Sequence, residues 1–97
     1  MKKLILQNEK RCIVCGDTLG LHHHEVFYGT ANRKKSIEYG CQVWLCGKHH
    51  NLSKEGVHFN TELDERLKRY VQTKLEEEYG HEKFMEVFHK NYLGDER

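Results

Sequence analysis

The sequence predicts a small α+β domain in which a metal braces two strands and a helical hairpin forms the C-terminal third. The first observation is a pair of short motifs: Cys12 and Cys15 form C-x₂-C, and Cys46 and His49 form C-x₂-H about thirty residues later. The second is a set of short apolar runs between these motifs, typical of strands. The third is the helical spacing of apolar residues in the last third of the chain.

Length and composition favour one domain, 1–97, made of a zinc-braced core over 12–60 and helices over 61–93 that pack on it. At 97 residues the core is modest, and a metal staple matters at this size. A net charge of +1 argues against a strongly basic nucleic-acid coat but allows a local basic patch. Because there is no apolar run of ~18 residues and the N-terminal one stops after three, we expect a cytoplasmic protein without membrane contact.

The first half of the chain is predicted to form an antiparallel hairpin with a long connection. Its strands are His22–Phe27 and Gln42–Leu45. The connection contains Asn32–Ser36, which we interpret as a basic loop or helical turn. A short helix or turn is expected from His49 onward, and residues 1–10 are expected to be a short strand or an irregular lead-in.

The last third carries the pattern of two helices. Thr61 to Asp64 resembles a capping box, with Thr61 as the N-cap and Asp64 as the acidic partner. Gly80 is the expected C-terminal stop of this helix. A second helix is predicted from about Glu82 to Tyr92, with an aromatic face that we assign to the core. In the first of these two helices, the apolar residues at helical spacing are Leu63, Leu67, Tyr70, Val71 and Leu75.

The four residues of the two short motifs are predicted to bind a structural zinc ion. Zinc prefers four soft or borderline ligands in a tetrahedron, and two thiolates three residues apart can face one ion. Cysteines in a reducing compartment are more often metal ligands than disulfides. Cys41 competes for the fourth place, and buried thiols without a metal are the alternative. The predicted ligands are Cys12, Cys15, Cys46 and His49.

Seven further histidines remain, of which His81 and His89 are expected on the surface of the C-terminal helices. In the first strand, alternation places His22 and His24 on one face and His23 with Glu25 on the other. If the hairpin closes, one of these sets approaches the two histidines beyond the second strand. Such a cluster is typical of a divalent-ion site with open coordination positions. The alternative is a group of exposed, neutral histidines. The two histidines that lie beyond the second strand are His50 and His58.

These motifs together resemble the HNH endonuclease family. The pattern is C-x₂-C, a histidine-rich strand, an asparagine, then L-C-x₂-H-H and a later histidine. More narrowly, H-E-V-F-Y-G, N-R-K-K-S, V-W-L-C-G-K-H-H-N and G-V-H-F are similar to small phage- and prophage-type members. The match covers residues 12 to about 60 and, more loosely, the helical tail with its ending K-N-Y-L.

The resemblance implies a ββα-metal fold, two strands and a helix around one divalent ion, braced by zinc knuckles. The implied activity is that of a DNA endonuclease or nickase that hydrolyses phosphodiester bonds. Its cofactors would be a structural Zn²⁺ and a catalytic divalent ion such as Mg²⁺, Mn²⁺ or Ni²⁺. Its partners would be DNA and, as further candidates, phage recombination or packaging proteins.

Carried over to this chain, the resemblance makes His50 and His58 ligands of the catalytic ion. On the first strand the family has a ligand followed by a histidine base, and this chain offers either His24-Glu25 or His23-His24 for that pair. His24, as ligand or base, is essential in both alignments. A glutamate in place of the histidine base leaves a second function open, that of a non-catalytic, zinc-stapled DNA-binding or phage recombination accessory module.

The family's asparagine, which orients the base, corresponds to Asn32, with Asn51 as the alternative. A basic cluster beside the histidines could contact flanking phosphates without reading sequence, although such a cluster can also be an ordinary solvated surface. The basic residues are Arg33, Lys34, Lys35 and Lys48.

A third function, of another class, is protein interaction through an exposed face of the helical hairpin.

Overall fold

The structure, a computed structural model, describes residues 6–54 and 56–94, and the structural statements below concern those residues. It has the predicted α+β content. The predicted lead-in is irregular over residues 6–10, whereas residues 1–5 lie outside the described part. The elements follow in the order β1 (Leu21–Glu25), α1 (Thr30–Tyr39), β2 (Gln42–Cys46), α2 (Gly47–His50), α3 (Thr61–Tyr79) and α4 (His81–Phe88).

β1 and β2 form the predicted antiparallel hairpin, in a register that pairs Leu21 with Cys46 and Glu25 with Gln42. Antiparallel strands alternate their side chains between two faces, so this register decides which histidines lie together. The backbone beyond β1 remains close to the end of the connection, because the Val26 amide donates to the Cys41 carbonyl at 3.0 Å.

The connection between the strands is a ten-residue helix, α1, rather than the loop or single turn expected over residues 32–36. Its sequence has no apolar stripe, and its N-cap Gly29 provides no side-chain hydrogen bond. Tertiary contacts support it instead. The buried Ser36 hydroxyl accepts from the Phe27 amide and donates to the Phe27 carbonyl, and Lys35 donates to the Val87 carbonyl at 2.6 Å.

The two C-terminal helices are present, with different ends from those predicted. The N-cap of α3 is Asn60, whose side chain accepts from the Leu63 amide at 3.2 Å, so the predicted cap Thr61 is the first helical residue. The helix ends at Gly80, as predicted. α4 stops at Phe88 instead of reaching Tyr92, because His89 adopts a left-handed backbone conformation with φ 62°.

The core joins the hairpin to the two C-terminal helices. The ring of Phe27, just after β1, lies 4.4 Å from that of Phe88 and 5.5 Å from that of Phe84, measured between centroids. The predicted aromatic face of α4 is therefore core. α3 contributes to this core the buried side chains Leu67, Val71, Gln72 and Leu75.

No helix in the described ranges is long and apolar enough to span a membrane.

Candidate metal centres

The four predicted zinc ligands lie together, with one ligand atom from each within 4.8 Å of the others. His49 Nδ1 lies 3.3 Å from Cys46 Sγ and 3.7 Å from Cys12 Sγ. The sulfurs of Cys15 and Cys46 are 3.7 Å apart. Tetrahedral ligands with a bond length near 2.3 Å lie roughly 3.7 Å from one another. These four residues could hold a zinc ion.

The backbone around the first motif explains this convergence. A tight turn, with the Gly16 amide donating to the Cys12 carbonyl at 2.8 Å, directs both thiols to one side. The Ile13 amide donates to the Trp44 carbonyl at 2.9 Å, so the turn is fixed against β2. β2 ends at Cys46, and α2 presents His49 three residues later.

The electrostatic surroundings favour a thiolate at Cys12. Burial alone would raise the pKa of this thiol. Hydrogen bonds from the backbone amides of Cys46, Cys15 and Val14 outweigh burial, and the pKa is lowered to about 6. A thiolate is the form that binds a metal, and Cys12 can supply it near neutral pH, whereas the pKa of the Cys15 thiol is raised.

Cys41, the competing candidate for the fourth place, lies in the core and outside this cluster. Burial raises the pKa of its thiol to about 12. Such a thiol behaves as a small apolar side chain. All four cysteines of the chain lie in the described part, and none forms a disulfide.

A second cluster contains His24, His50 and His58, whose ligand nitrogens also lie within 4.8 Å of one another. The Nε2 atoms of His50 and His58 are 3.1 Å apart, and the His24 ring centroid lies 5.2 and 5.4 Å from theirs. Imidazoles that share an ion at 2.0–2.1 Å have nitrogens roughly 3 to 3.4 Å apart. This is the convergence expected of the closed hairpin, with the His22–His24 face turned toward the downstream histidines.

His24 is the buried member, only 3% exposed, and its Nε2 has no hydrogen-bond partner. A buried polar atom without a partner is uncommon, because leaving it unsatisfied costs free energy. Burial first, and then the proximity of His50, His58 and Lys68, lowers the pKa of His24 to about 3. The imidazole is therefore neutral, which is the metal-binding form.

The loop after α2 brings His58 back to His50. The Val57 amide donates to the His49 carbonyl at 2.9 Å, and the His58 amide donates to the His50 carbonyl at 3.3 Å. This return requires glycine at position 56. A Cβ on Gly56 would lie 2.5 Å from the His50 carbonyl oxygen, closer than real Cβ atoms approach backbone.

His22 is a neighbour of this cluster that strand alternation placed on the same face as His24, without assigning it a role as ligand or base. Its Nδ1 lies 2.7 Å from His50 Nδ1, so one of the two nitrogens donates a hydrogen bond to the other. This contact occupies the Nδ1 side of His50 and leaves its Nε2 facing His58. Strand alternation had placed His22 on the correct face, and the register then determined its partner.

The histidines line a cavity of about 250 Å³ that also contains other predicted site residues. Glu25 lies at its wall, 3.8 Å from Arg33 Nε. His23 also reaches the cavity, although its exposed ring stacks on Trp44 at a centroid distance of 4.4 Å. The lining residues are His23, His24, Glu25, Tyr28, Arg33, His50 and His58.

Neither candidate for the orienting asparagine lines this cavity. Asn32 lies in the first turn of α1, and Asn51 is exposed at the end of α2. The cavity walls, as far as the described residues form them, contain no asparagine.

The predicted basic residues are spread over several surroundings. Arg33 lines the histidine cavity, and Lys34 is exposed on α1. Lys35 is half-buried with its ammonium on the Val87 carbonyl. Lys48 lines a separate cavity beside His49. The four residues therefore do not form a single patch around the histidines.

Tyr28 is a cavity residue that the sequence gave no means of finding. Its hydroxyl donates to Asp64 Oδ2 at 3.0 Å, and the same oxygen accepts from Lys68 at 2.8 Å. Asp64 was predicted to cap α3. Instead it is buried and turned toward Tyr28 and Lys68, so it connects the helix to the cavity wall. Tyr28 and Asp64 are 36 residues apart, and no local sequence pattern indicates their contact.

Comparison of the chain with protein-family models, with curated proteins and with solved structures found no match. Function must therefore be inferred from the residues and the geometry of the two clusters.

Proposed function

We propose that this protein is a metal-dependent DNA endonuclease or nickase of the HNH type. The Cys/His cluster would hold a structural zinc ion, and His24, His50 and His58 would hold the catalytic divalent ion. The observation that carries the proposal is the convergence of three imidazoles on one cavity, with an unsatisfied buried nitrogen among them. Three protein ligands with open positions are typical of catalytic sites, whereas four-ligand cysteine-rich sites are structural.

Phosphodiester hydrolysis requires a deprotonated water in line with the leaving oxygen and a cation near the charge that develops. A bound divalent ion would supply that cation and polarise the phosphate. The neutral state of His24 serves ligation directly, because a protonated imidazole cannot bind a metal. Arg33 at the cavity wall can contact a non-bridging phosphate oxygen.

Glu25 is the better candidate for the base that takes the proton from water. It is half-buried at the cavity wall, and its charge acts on His50, raising the pKa of that imidazole against the larger lowering effect of burial. His23 also lines the cavity, but its exposed ring is stacked on Trp44 at a centroid distance of 4.4 Å. A carboxylate within reach of a metal-bound water can act as a general base.

His22 would act as a positioning residue through its contact with His50. A metal-ligating histidine usually hydrogen-bonds through its second ring nitrogen, and this bond fixes the tautomer and the ring orientation. The Nδ1 to Nδ1 contact of 2.7 Å provides such a bond and would direct His50 Nε2 toward the ion.

A second candidate function is a zinc-stapled DNA-binding or phage recombination accessory module without catalysis. One specific observation favours it: Arg33 faces Glu25, the carboxylate that stands where the family has a histidine base. The Arg33 guanidinium would compete with a water molecule for that carboxylate.

Cleavage of supercoiled plasmid and of single-stranded DNA tests the proposal. Zinc-loaded wild type is expected to cleave with Mg²⁺, Mn²⁺ or Ni²⁺, and His50→Ala should lose this activity while retaining its thermal melting transition. Glu25→Gln should reduce the rate by several powers of ten if Glu25 is the base, with His23→Ala much milder. If wild type cleaves DNA with none of these ions, the proposal of an enzyme is wrong and the binding module takes its place.

A further inference from the structure

A buried ion pair on α3 reaches the histidine cavity through Tyr28 and has no part in the hydrolysis described above. The Lys68 ammonium donates to Asp64 Oδ2 at 2.8 Å, and the Tyr28 hydroxyl donates to the same oxygen at 3.0 Å. The Lys68 ammonium also lies 4.2 Å from the centroid of the Tyr28 ring. The side chains of Lys68 and Asp64 are only 13% and 10% exposed. Tyr28 is therefore held by two partners that lie one turn apart on α3.

Packing alone does not account for this pair. Replacing a buried ion pair by apolar side chains of similar volume is often neutral or stabilising, because removing two charges from water is costly. Asp64 also has a second oxygen, Oδ1, that is buried and has no hydrogen-bond partner among the described residues. An unsatisfied buried acceptor costs free energy. A buried polar network that costs stability can still fix one geometry, and the side chain that this network fixes is Tyr28.

The Tyr28 ring lies beside two of the three histidines of the second cluster. Its centroid is 6.1 Å from that of His24 and 6.0 Å from that of His58. Both distances are within the range of roughly 4.5–7 Å in which aromatic rings interact. His24 belongs to β1 and His58 to the loop after α2, so one ring borders histidines from two separate segments. His58 has the weaker support of the two, because it is exposed whereas His24 is buried.

We propose that Tyr28 is a positioning residue of the second ion site, which orients the rings of His24 and His58, and that the pair of Asp64 and Lys68 holds Tyr28 in place. This inference rests on the ion site of the proposed function, and not on DNA cleavage. Tyr28 itself is not a ligand, because its hydroxyl is turned toward α3 by the bond to Asp64. Residues that hold metal ligands in place contribute to affinity without touching the ion, and losing one typically lowers metal affinity by roughly 10- to 100-fold.

Calorimetric titration with Ni²⁺, an ion that imidazole suits, tests this inference on protein loaded with one zinc ion per chain. Tyr28→Phe keeps the ring and the net charge but removes the bond to Asp64. Affinity for Ni²⁺ should fall on the order of tenfold, because the ring is no longer fixed. The double variant Asp64→Leu with Lys68→Met also keeps the net charge, and it should show a similar loss. Its melting temperature should equal or exceed that of wild type, whereas a merely structural pair would lower the melting temperature and leave Ni²⁺ affinity unchanged.

Combining Tyr28→Phe with the double variant tests whether the ion pair acts through the tyrosine. Residues that act through one another have non-additive effects, so the combined variant should lose no more affinity than either variant alone. The matched control is Tyr70→Phe. Tyr70 is 39% exposed, as Tyr28 is, and a lysine ammonium lies 5.8 Å from its ring centroid, but Tyr70 does not line the histidine cavity. This control should bind Ni²⁺ as wild type does.

Unchanged Ni²⁺ affinity in Tyr28→Phe would overturn the inference and leave the nuclease proposal standing. This single variant decides the matter if the double variant does not fold. Additive losses in the combined variant would show that the ion pair does not act through Tyr28, and would also overturn the inference. If wild type binds no Ni²⁺ beyond its zinc, the second ion site is wrong, and both this inference and the proposed function fail.

Discussion

At the scale of single residues, His24 is expected to make the stability of the fold depend on pH. Its pKa is about 3 in the folded chain, chiefly because the ring is buried, against an ordinary value of 6.5. Between pH 6.5 and about 3 the unfolded chain therefore binds a proton at His24 that the folded chain does not. The stability contributed by the neutral ring is complete above pH 6.5 and is lost as the pH falls toward 3.

We predict that His24→Leu weakens the dependence of unfolding free energy on pH. Each pH unit below 6.5 should cost the wild type on the order of 1 kcal/mol more than the variant. Urea unfolding of both proteins at several pH values from 6.5 downward measures the difference, and acid loss of zinc affects both alike. Parallel curves would show that His24 protonates freely in the folded state.

The contact between His22 and His50 gives a second prediction at this scale. His22→Phe keeps the ring volume but removes the nitrogen that faces His50, so His50 should lose its fixed orientation. Affinity for a second divalent ion should fall roughly 10- to 100-fold, measured by calorimetric titration of zinc-loaded protein. His22→Asn should recover part of the loss, and His81→Ala, an exposed histidine on α4, should behave as wild type. Unchanged affinity in His22→Phe would remove His22 from the site.

At the scale of elements, the return loop after α2 depends on Gly56. We predict that Gly56→Ala displaces the His50 backbone, because the added Cβ would lie 2.5 Å from its carbonyl oxygen. Binding of the second ion should be lost while most of the fold remains. Lys54→Ala, an exposed change in the same loop, is the control for titrations and thermal melts. Wild-type ion binding by Gly56→Ala would mean that the loop does not define the site.

The proposed zinc site at the Cys/His cluster gives a prediction about folding. In small zinc proteins the free energy of metal binding is also folding free energy, on the order of 10 kcal/mol. Cys46→Ser should therefore yield insoluble or largely unfolded protein. Cys41→Ala removes a buried thiol outside the cluster and should leave a cooperative melting transition at a lower temperature. A wild-type melting curve for Cys46→Ser after exhaustive chelation would contradict the zinc assignment.

Sequence patterns predicted the elements whose signals are local. The C-x₂-C and C-x₂-H spacings, the alternation of His22 and His24, and the stop at Gly80 each depend on a few neighbouring residues. α1 was missed because it lacks an apolar stripe and is supported by the contact of Ser36 with Phe27. The Tyr28 to Asp64 bond joins residues distant in sequence, so neither partner carries a recognisable signal.

At the scale of the whole molecule, the two halves depend on each other. The core aromatic residues of α4 pack on Phe27 directly after β1, and Asp64 of α3 reaches Tyr28 at the cavity wall. The C-terminal helices thus support the strand that carries His24. The Cys/His cluster holds the other end of the hairpin, where β1 begins and β2 ends. Each end of the hairpin would then have its own metal, with a separate task.

The central claim is that one chain carries two metal centres of different kinds. Equilibrium dialysis against micromolar zinc, followed by elemental analysis, counts the bound ions directly. We predict two ions per chain for wild type and one for a folded variant that combines His50→Ala with His58→Ala. A single ion in wild type, or two in the double variant, would contradict the account.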